Sequence, residues 1–80
     1  MESRIVFNPK ILGGKPIIKG TRISVEFILE LLASGMEVDQ IMEEYSHLKK
    51  EDVLAAVNYA AKALKHEEVL LLGKGNEVAN

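Results

Sequence analysis

Residues 38–65 read VDQIMEEYSHLKKEDVLAAVNYAAKALK, and this stretch decides the fold. Val38, Ile41, Met42 and Tyr45 recur at i, i+3, i+4 and i+7, with Asp39, Gln40, Glu43 and Glu44 on the other face. That is an amphipathic helix of about two turns. Ser46-His47-Leu48-Lys49 breaks the period as a connector. The period resumes from about Lys50 to Lys65, on a stripe of Val53 or Leu54, Val57, Ala60 or Ala61, and Leu64. Glu51 and Asp52 sit at the positive end of this longer helix, Lys62 and Lys65 at its negative end, as the macrodipole favours. A short helix, a short connector and a longer helix make the helix-turn-helix pattern.

Toward the N-terminus, Val25, Ile28, Leu29 and Leu32 form another helical stripe, widened by Phe27 and Leu31. Ser24 is placed to cap this helix, Glu26 suits its first turn, and Gly35 is placed to stop it. Further forward, Arg4-Ile5-Val6-Phe7 is a β-prone run ended by Asn8-Pro9. The segment ILGGKPIIKGTRI, residues 11–23, concentrates Gly13-Gly14, Pro16 and Gly20. Pro16-Ile17-Ile18 reads as a second extended piece closed by Lys19-Gly20-Thr21. The expectation is a small hairpin with a connection too long to be tight.

Together these readings predict a mainly α protein: a helix-turn-helix three-helix domain with a short N-terminal β element. The domain should span residues 1–66. Residues 67–80 should form an apolar and then flexible tail, in which Val69-Leu70-Leu71-Leu72 extends the helix, forms a strand or packs on a partner. Most of the core is expected from Ile5, Phe7, Ile28, Leu32, Ile41, Tyr45, Leu54, Val57 and Leu64.

Eighty residues, 48% of them hydrophobic and none of them cysteine, bound the answer to one domain without disulfides or thiolate metal sites. So small a core gains from oligomerisation, which with the Val69–Leu72 run predicts a homodimer. The absence of a membrane-length apolar run and of a signal-peptide core predicts a cytoplasmic protein without a membrane partner. The net charge of −2 hides an asymmetry. Residues 1–24 carry Arg4, Lys10, Lys15, Lys19 and Arg22 against Glu2; the remainder carries five lysines against eleven acids. A basic front on an acidic body suits phosphates or an acidic partner.

In a helix-turn-helix the second helix presents its N-terminal residues to the bases. Here those are Lys49 and Lys50, suited to phosphate or guanine, with Asn58 suited to adenine further along. Lys15, Lys19 and Arg22 are candidates to hold the DNA backbone. Glu51 and Asp52, read as solvated acids, oppose DNA. The glycine-rich segment lacks P-loop spacing. His47 and His66 have no partners at metal-ligand spacing. No serine has an evident base beside it, and no cofactor or enzymatic activity is expected.

The run from Arg4 to Ala60, above all ILGGKP with KGTRI, LELLASGM and EDVLAAVNYA, resembles the "domain of unknown function 433" family of small prokaryotic proteins. The resemblance covers about residues 4–62. It implies a helix-turn-helix or winged-helix-like fold with a small β element in front. Some relatives resemble VapB-type antitoxins, which implies a protein that silences a PIN-like nuclease toxin and represses their shared operon through its operator DNA. Relatives often place Ser or Thr as a cap before the second and third helices, where this chain has Glu37 and Lys49. The expected function is an antitoxin-like, DNA-binding regulator. The competing expectation is a protein-interaction module without DNA binding.

Overall fold

The structure is a computed structural model that describes residues 3–72, with side-chain environments through residue 66. Its elements are β1 (Ile5–Phe7), a single 3-10 turn (Leu12–Gly14), β2 (Pro16–Ile18), α1 (Val25–Ala33), α2 (Val38–Glu44) and α3 (Lys50–Leu72). Three helices and a two-stranded antiparallel sheet make a mostly helical domain. Among the described residues no helix is long and apolar enough to cross a membrane.

β1 and β2 pair with Ile5 opposite Ile18, Val6 opposite Ile17 and Phe7 opposite Pro16. The turn after β2 is built by Thr21. Its hydroxyl donates to the Ile18 carbonyl at 2.8 Å and accepts from the Ile23 N–H at 2.9 Å. Gly20 takes φ +81°, the left-handed region where a side chain would be strained. The chain thus doubles back so that Ile18 N–H meets the Ile23 carbonyl, and Ser24 arrives beside Ile17.

Ser24 then starts α1 as expected, its hydroxyl accepting from the Phe27 N–H at 2.9 Å. Gly35, at φ +101°, follows the last residues of the helix. Ser24 is itself buried. Ser24→Ala therefore removes a cap inside the protein and should cost about 1 kcal/mol. A thermal melt should move down by roughly 4–8 °C; an unchanged midpoint would show that the cap contributes nothing.

The second and third helices start by a shared device. Glu37 precedes α2, and its N–H donates to the Gln40 side chain at 2.8 Å. Lys49 precedes α3, and its N–H donates to Asp52 Oδ2 at 2.9 Å. In both cases the residue three positions on reaches back, the half of a capping box that does not need Ser or Thr at the cap. The departures at Glu37 and Lys49 are thereby compensated.

The core consists of Ile17, Ile18, Val25, Ile28, Ile41, Leu48, Val53 and Ala56. Ile28 and Ile41 belong to the expected set. Ile5, Leu32 and Tyr45 pack against the core while partly buried. Four expected members lie outside it: Phe7 is 58% exposed, Leu54 52%, Val57 42% and Leu64 65%. α3 has two apolar stripes, and the one turned inward carries Val53 and Ala56. Phe7 instead meets Tyr59 at the surface, ring centroids 6.1 Å apart. Leu48, read as a connector residue, is buried and plugs the angle between α2 and α3.

The backbone of α3 continues to Leu72, past the Lys65 expected for its end. Extension of the helix is thus the course taken by the Val69–Leu72 run. The expected flexible segment from residue 73 lies outside the described residues.

Candidate functional site

Arg4, at the entry to β1, donates from its guanidinium to Asp52 Oδ1 at 2.8 Å. The other oxygen of that carboxylate takes the Lys49 N–H. On the far side, the Arg4 carbonyl accepts the Lys19 N–H at 2.8 Å. A continuous path of hydrogen bonds, Lys19–Arg4–Asp52–Lys49, therefore joins the basic front end to the first turn of α3. Lys50 is the next residue and is exposed, as is Lys49. Four cationic residues thus gather at one end of the domain.

Asp52 is not a solvated acid: it is 6% exposed, and both carboxylate oxygens are engaged. Its charge is offset by Arg4, whose side chain remains 44% exposed. Only Glu51 is left as an exposed acid in the first turn of α3. One of the two acids counted against an anionic ligand is therefore already neutralised by the fold.

Asn58 lies two turns along α3 on the wall of a groove of about 480 Å³. Ser3, Arg4, Tyr59 and Lys62 line the same groove. Asn58 thus shares a face with Arg4. Arg22 is exposed and belongs to the turn that follows Lys19, beside Gly20 and Thr21 on another groove.

Lys15 stands apart from this cluster. It lines a groove with Pro16, Leu29, Ala63 and Leu64. Ala63 is about 20 Å along α3 from Lys50, at 1.5 Å per residue. Lys15 Nζ also binds Glu26 Oε1 at 2.8 Å. Their hydrogen bond, and then their mutual attraction, raises the lysine and lowers the carboxylate from their ordinary values. Both side chains are more than half exposed, so solvent screens the pair. Its contribution is present above the usual carboxylate range and fades as pH falls through the lowered Glu26 value.

Of the six residues named from the sequence, Lys19, Lys49, Lys50 and Asn58 are brought to one end and its adjoining groove. Arg22 follows Lys19 in the turn but shares a groove with Lys15, Glu26 and Glu30 beside α1, apart from that end. Arg4 and Asp52 organise the site without having been named for it. The signal for Arg4 was its place in the basic front. Asp52 carried the signal of a capping residue three positions after Lys49.

A second surface feature lies on α3. Leu54, Val57, Ala61 and Leu64 are all exposed along one line of the helix. From Ala61 to His66 every residue is exposed, so α3 projects beyond the body that it packs on.

Comparisons with known proteins agree with this frame. Uncharacterized protein y4eO of Sinorhizobium fredii (strain NBRC 101917 / NGR234) is 34% identical over 56 residues, 70% of this chain and 25% of that protein. A crystal structure at 2.00 Å of a DUF433 member protein from Anabaena variabilis ATCC 29413 is similar with a TM-score of 0.75 at 26% identity. That likeness covers 81% of this chain and 64% of the other. The chain thus spans a quarter of the first protein and just under two thirds of the second. The family described as "Protein of unknown function (DUF433)" matches residues 5–60, from β1 through the packed half of α3, and the chain belongs to that family.

Proposed function

We propose that this protein is an antitoxin-like, DNA-binding regulator in which α2, the Tyr45–Lys49 connector and α3 act as a helix-turn-helix. In this reading the β1–β2 arm, which precedes the helices, serves as a wing. One observation carries the reading: the Lys19–Arg4–Asp52–Lys49 path gathers exposed cations at the N-terminus of the longer helix, while Arg4 offsets the buried acid there. A helix N-terminus with lysines beside it favours a phosphate backbone. Lys49 and Lys50 meet phosphates or base edges, Lys19 and Arg22 hold the flanking backbone, and Asn58 reaches along the groove. The acidic body remains for a protein partner, a PIN-like nuclease toxin in this reading.

The test is fluorescence anisotropy with the DNA upstream of the protein's own coding region and a scrambled duplex, at about 50 and 200 mM salt. Wild-type protein should bind its own duplex more tightly and lose affinity steeply with salt. Replacing Lys49 and Lys50 together by Ala should weaken binding at least 10-fold at low salt. The log–log salt slope should become shallower by about 2, close to 0.9 per lost phosphate contact. An unchanged affinity and slope would remove the α3 N-terminus from DNA binding.

A second reading, an interaction module without DNA binding, is favoured by the exposed apolar line on α3 and by Glu51 beside Lys50. It is the better reading if the wild-type protein ignores DNA at 50 mM salt.

A further inference from the structure

We infer that the exposed line on α3 is a self-complementary surface that pairs two copies of this chain through antiparallel α3 helices. Leu54, Val57, Ala61 and Leu64 are spaced three, four and three residues apart. That spacing reads the same from either end, which a two-fold axis requires, since each surface must meet its own copy reversed. It is also the alternating spacing of a coiled-coil seam.

The register follows from the symmetry. With the axis between Val57 and Ala61, Leu54 of one copy faces Leu64 of the second, and Val57 faces Ala61. Each layer sets a larger side chain against an equal or a smaller one, without a polar residue in the seam. The flank gives an independent check through charge. In this register Glu51 of one copy lies beside Lys65 of the other, and the same pair forms again at the opposite end. Asn58 of each copy meets its counterpart at the centre, so in this dimer it pairs the copies and the DNA contacts fall to Lys49 and Lys50. Glu51, Asn58 and Lys65 are all exposed in the single chain. Neither Glu51 nor Lys65 is committed to Arg4 or Asp52, which are bonded to each other.

The projecting part of α3 supports the same conclusion. Residues 61–66 are all exposed and meet their own chain only along groove edges, Ala63 and Leu64 beside Lys15 and Lys62 beside Arg4, and a helical segment so thinly packed is marginal in water. A second helix laid along it supplies the missing packing. The pairing surface also leaves the α3 N-termini at opposite ends of the dimer. The two Lys50 residues stand about 27 Å apart along the axis at 1.5 Å per residue. This dimer does not depend on DNA being bound.

The test uses the full chain and two readouts. Light scattering during size exclusion, from about 5 to 200 µM, should show a concentration-dependent dimer. Leu64→Glu should shift the midpoint of dimerisation at least 10-fold upward while leaving the circular dichroism spectrum at low concentration unchanged. Glu51→Lys should weaken the dimer, and adding Lys65→Glu in the same chain should restore it. Register is read by cross-linking with a short bis-maleimide, which is clean because the chain has no native cysteine. A mixture of Leu54→Cys and Leu64→Cys chains should cross-link between the two, whereas Leu54→Cys alone should not. A wild-type monomer at 200 µM, a dimer indifferent to Leu64→Glu, or efficient cross-linking of Leu54→Cys alone would each overturn the proposal.

Discussion

Replacing Ile28 by Ala should lower the unfolding free energy by about 3 kcal/mol. Ile28 is fully buried at the middle of α1 and packs in the cluster formed by Ile18, Val25, Ile41, Leu48, Val53 and Ala56. Truncation removes three carbons where the neighbouring elements α1, β2 and α3 are tied together, so the space can collapse little. A domain of this length commands roughly 4–12 kcal/mol in all, so the variant should keep only a fraction of its stability. The midpoint of thermal unfolding should drop by about 12–24 °C. Leu54→Ala, measured in dilute protein, is the control. Its side chain is half-exposed, and its loss should cost less than about 1 kcal/mol. If the two costs were reversed, the outward stripe of α3 would be the true core.

Asp52→Ala should be the most damaging change outside the apolar core, at about 2 kcal/mol. It removes the acceptor for the Lys49 N–H, a cap whose loss costs about 1 kcal/mol, and strands Arg4 without its partner. Breaking a fully buried pair costs about 3–5 kcal/mol. The cost here is smaller because the half-exposed Arg4 side chain can return to water. Asp52→Asn keeps an acceptor for the cap and should recover about half of the loss. Urea denaturation gives the magnitudes. Amide hydrogen exchange locates them: the first turn of α3 should exchange faster in Asp52→Ala, with the middle of α1 much less affected. A loss spread evenly over both helices would show that Asp52 acts on global stability alone.

These two positions also show what could be read from residues alone. Ile28 was legible because α1 has one dominant stripe, with Ser24 and Gly35 marking its ends by local chemistry. On α3 the period was read correctly and the wrong side chosen. Val53 and Ala56 turn inward, whereas Leu54, Val57 and Leu64 turn outward and are the bulkier set. Periodicity finds a stripe but does not say what lies against it. The inward stripe is rich in alanine because α3 approaches α1 closely, a tertiary fact absent from local sequence. Asp52 was misread for a related reason. Two acids in a first turn look alike until a strand places Arg4 against one of them. The clustering of Lys19 with Lys49 depends on that same contact. Lys15 failed to join them because β2 carries it toward the opposite end of α3, where Glu26 meets it.

The bond between Arg4 and Asp52 joins residues 48 positions apart. During synthesis the arm emerges first, and β1 can find β2 within a few residues of its release. The carboxylate that anchors Arg4 arrives only with the first turn of α3. Val53 and Ala56, which cover Ile18, arrive directly afterwards. Until then β2 is seated on α1 alone and Arg4 has no anchor, and closing so long a loop carries an entropy cost that must be met at once by the contacts it makes. The Arg4 end of the arm, made first, is therefore fastened last.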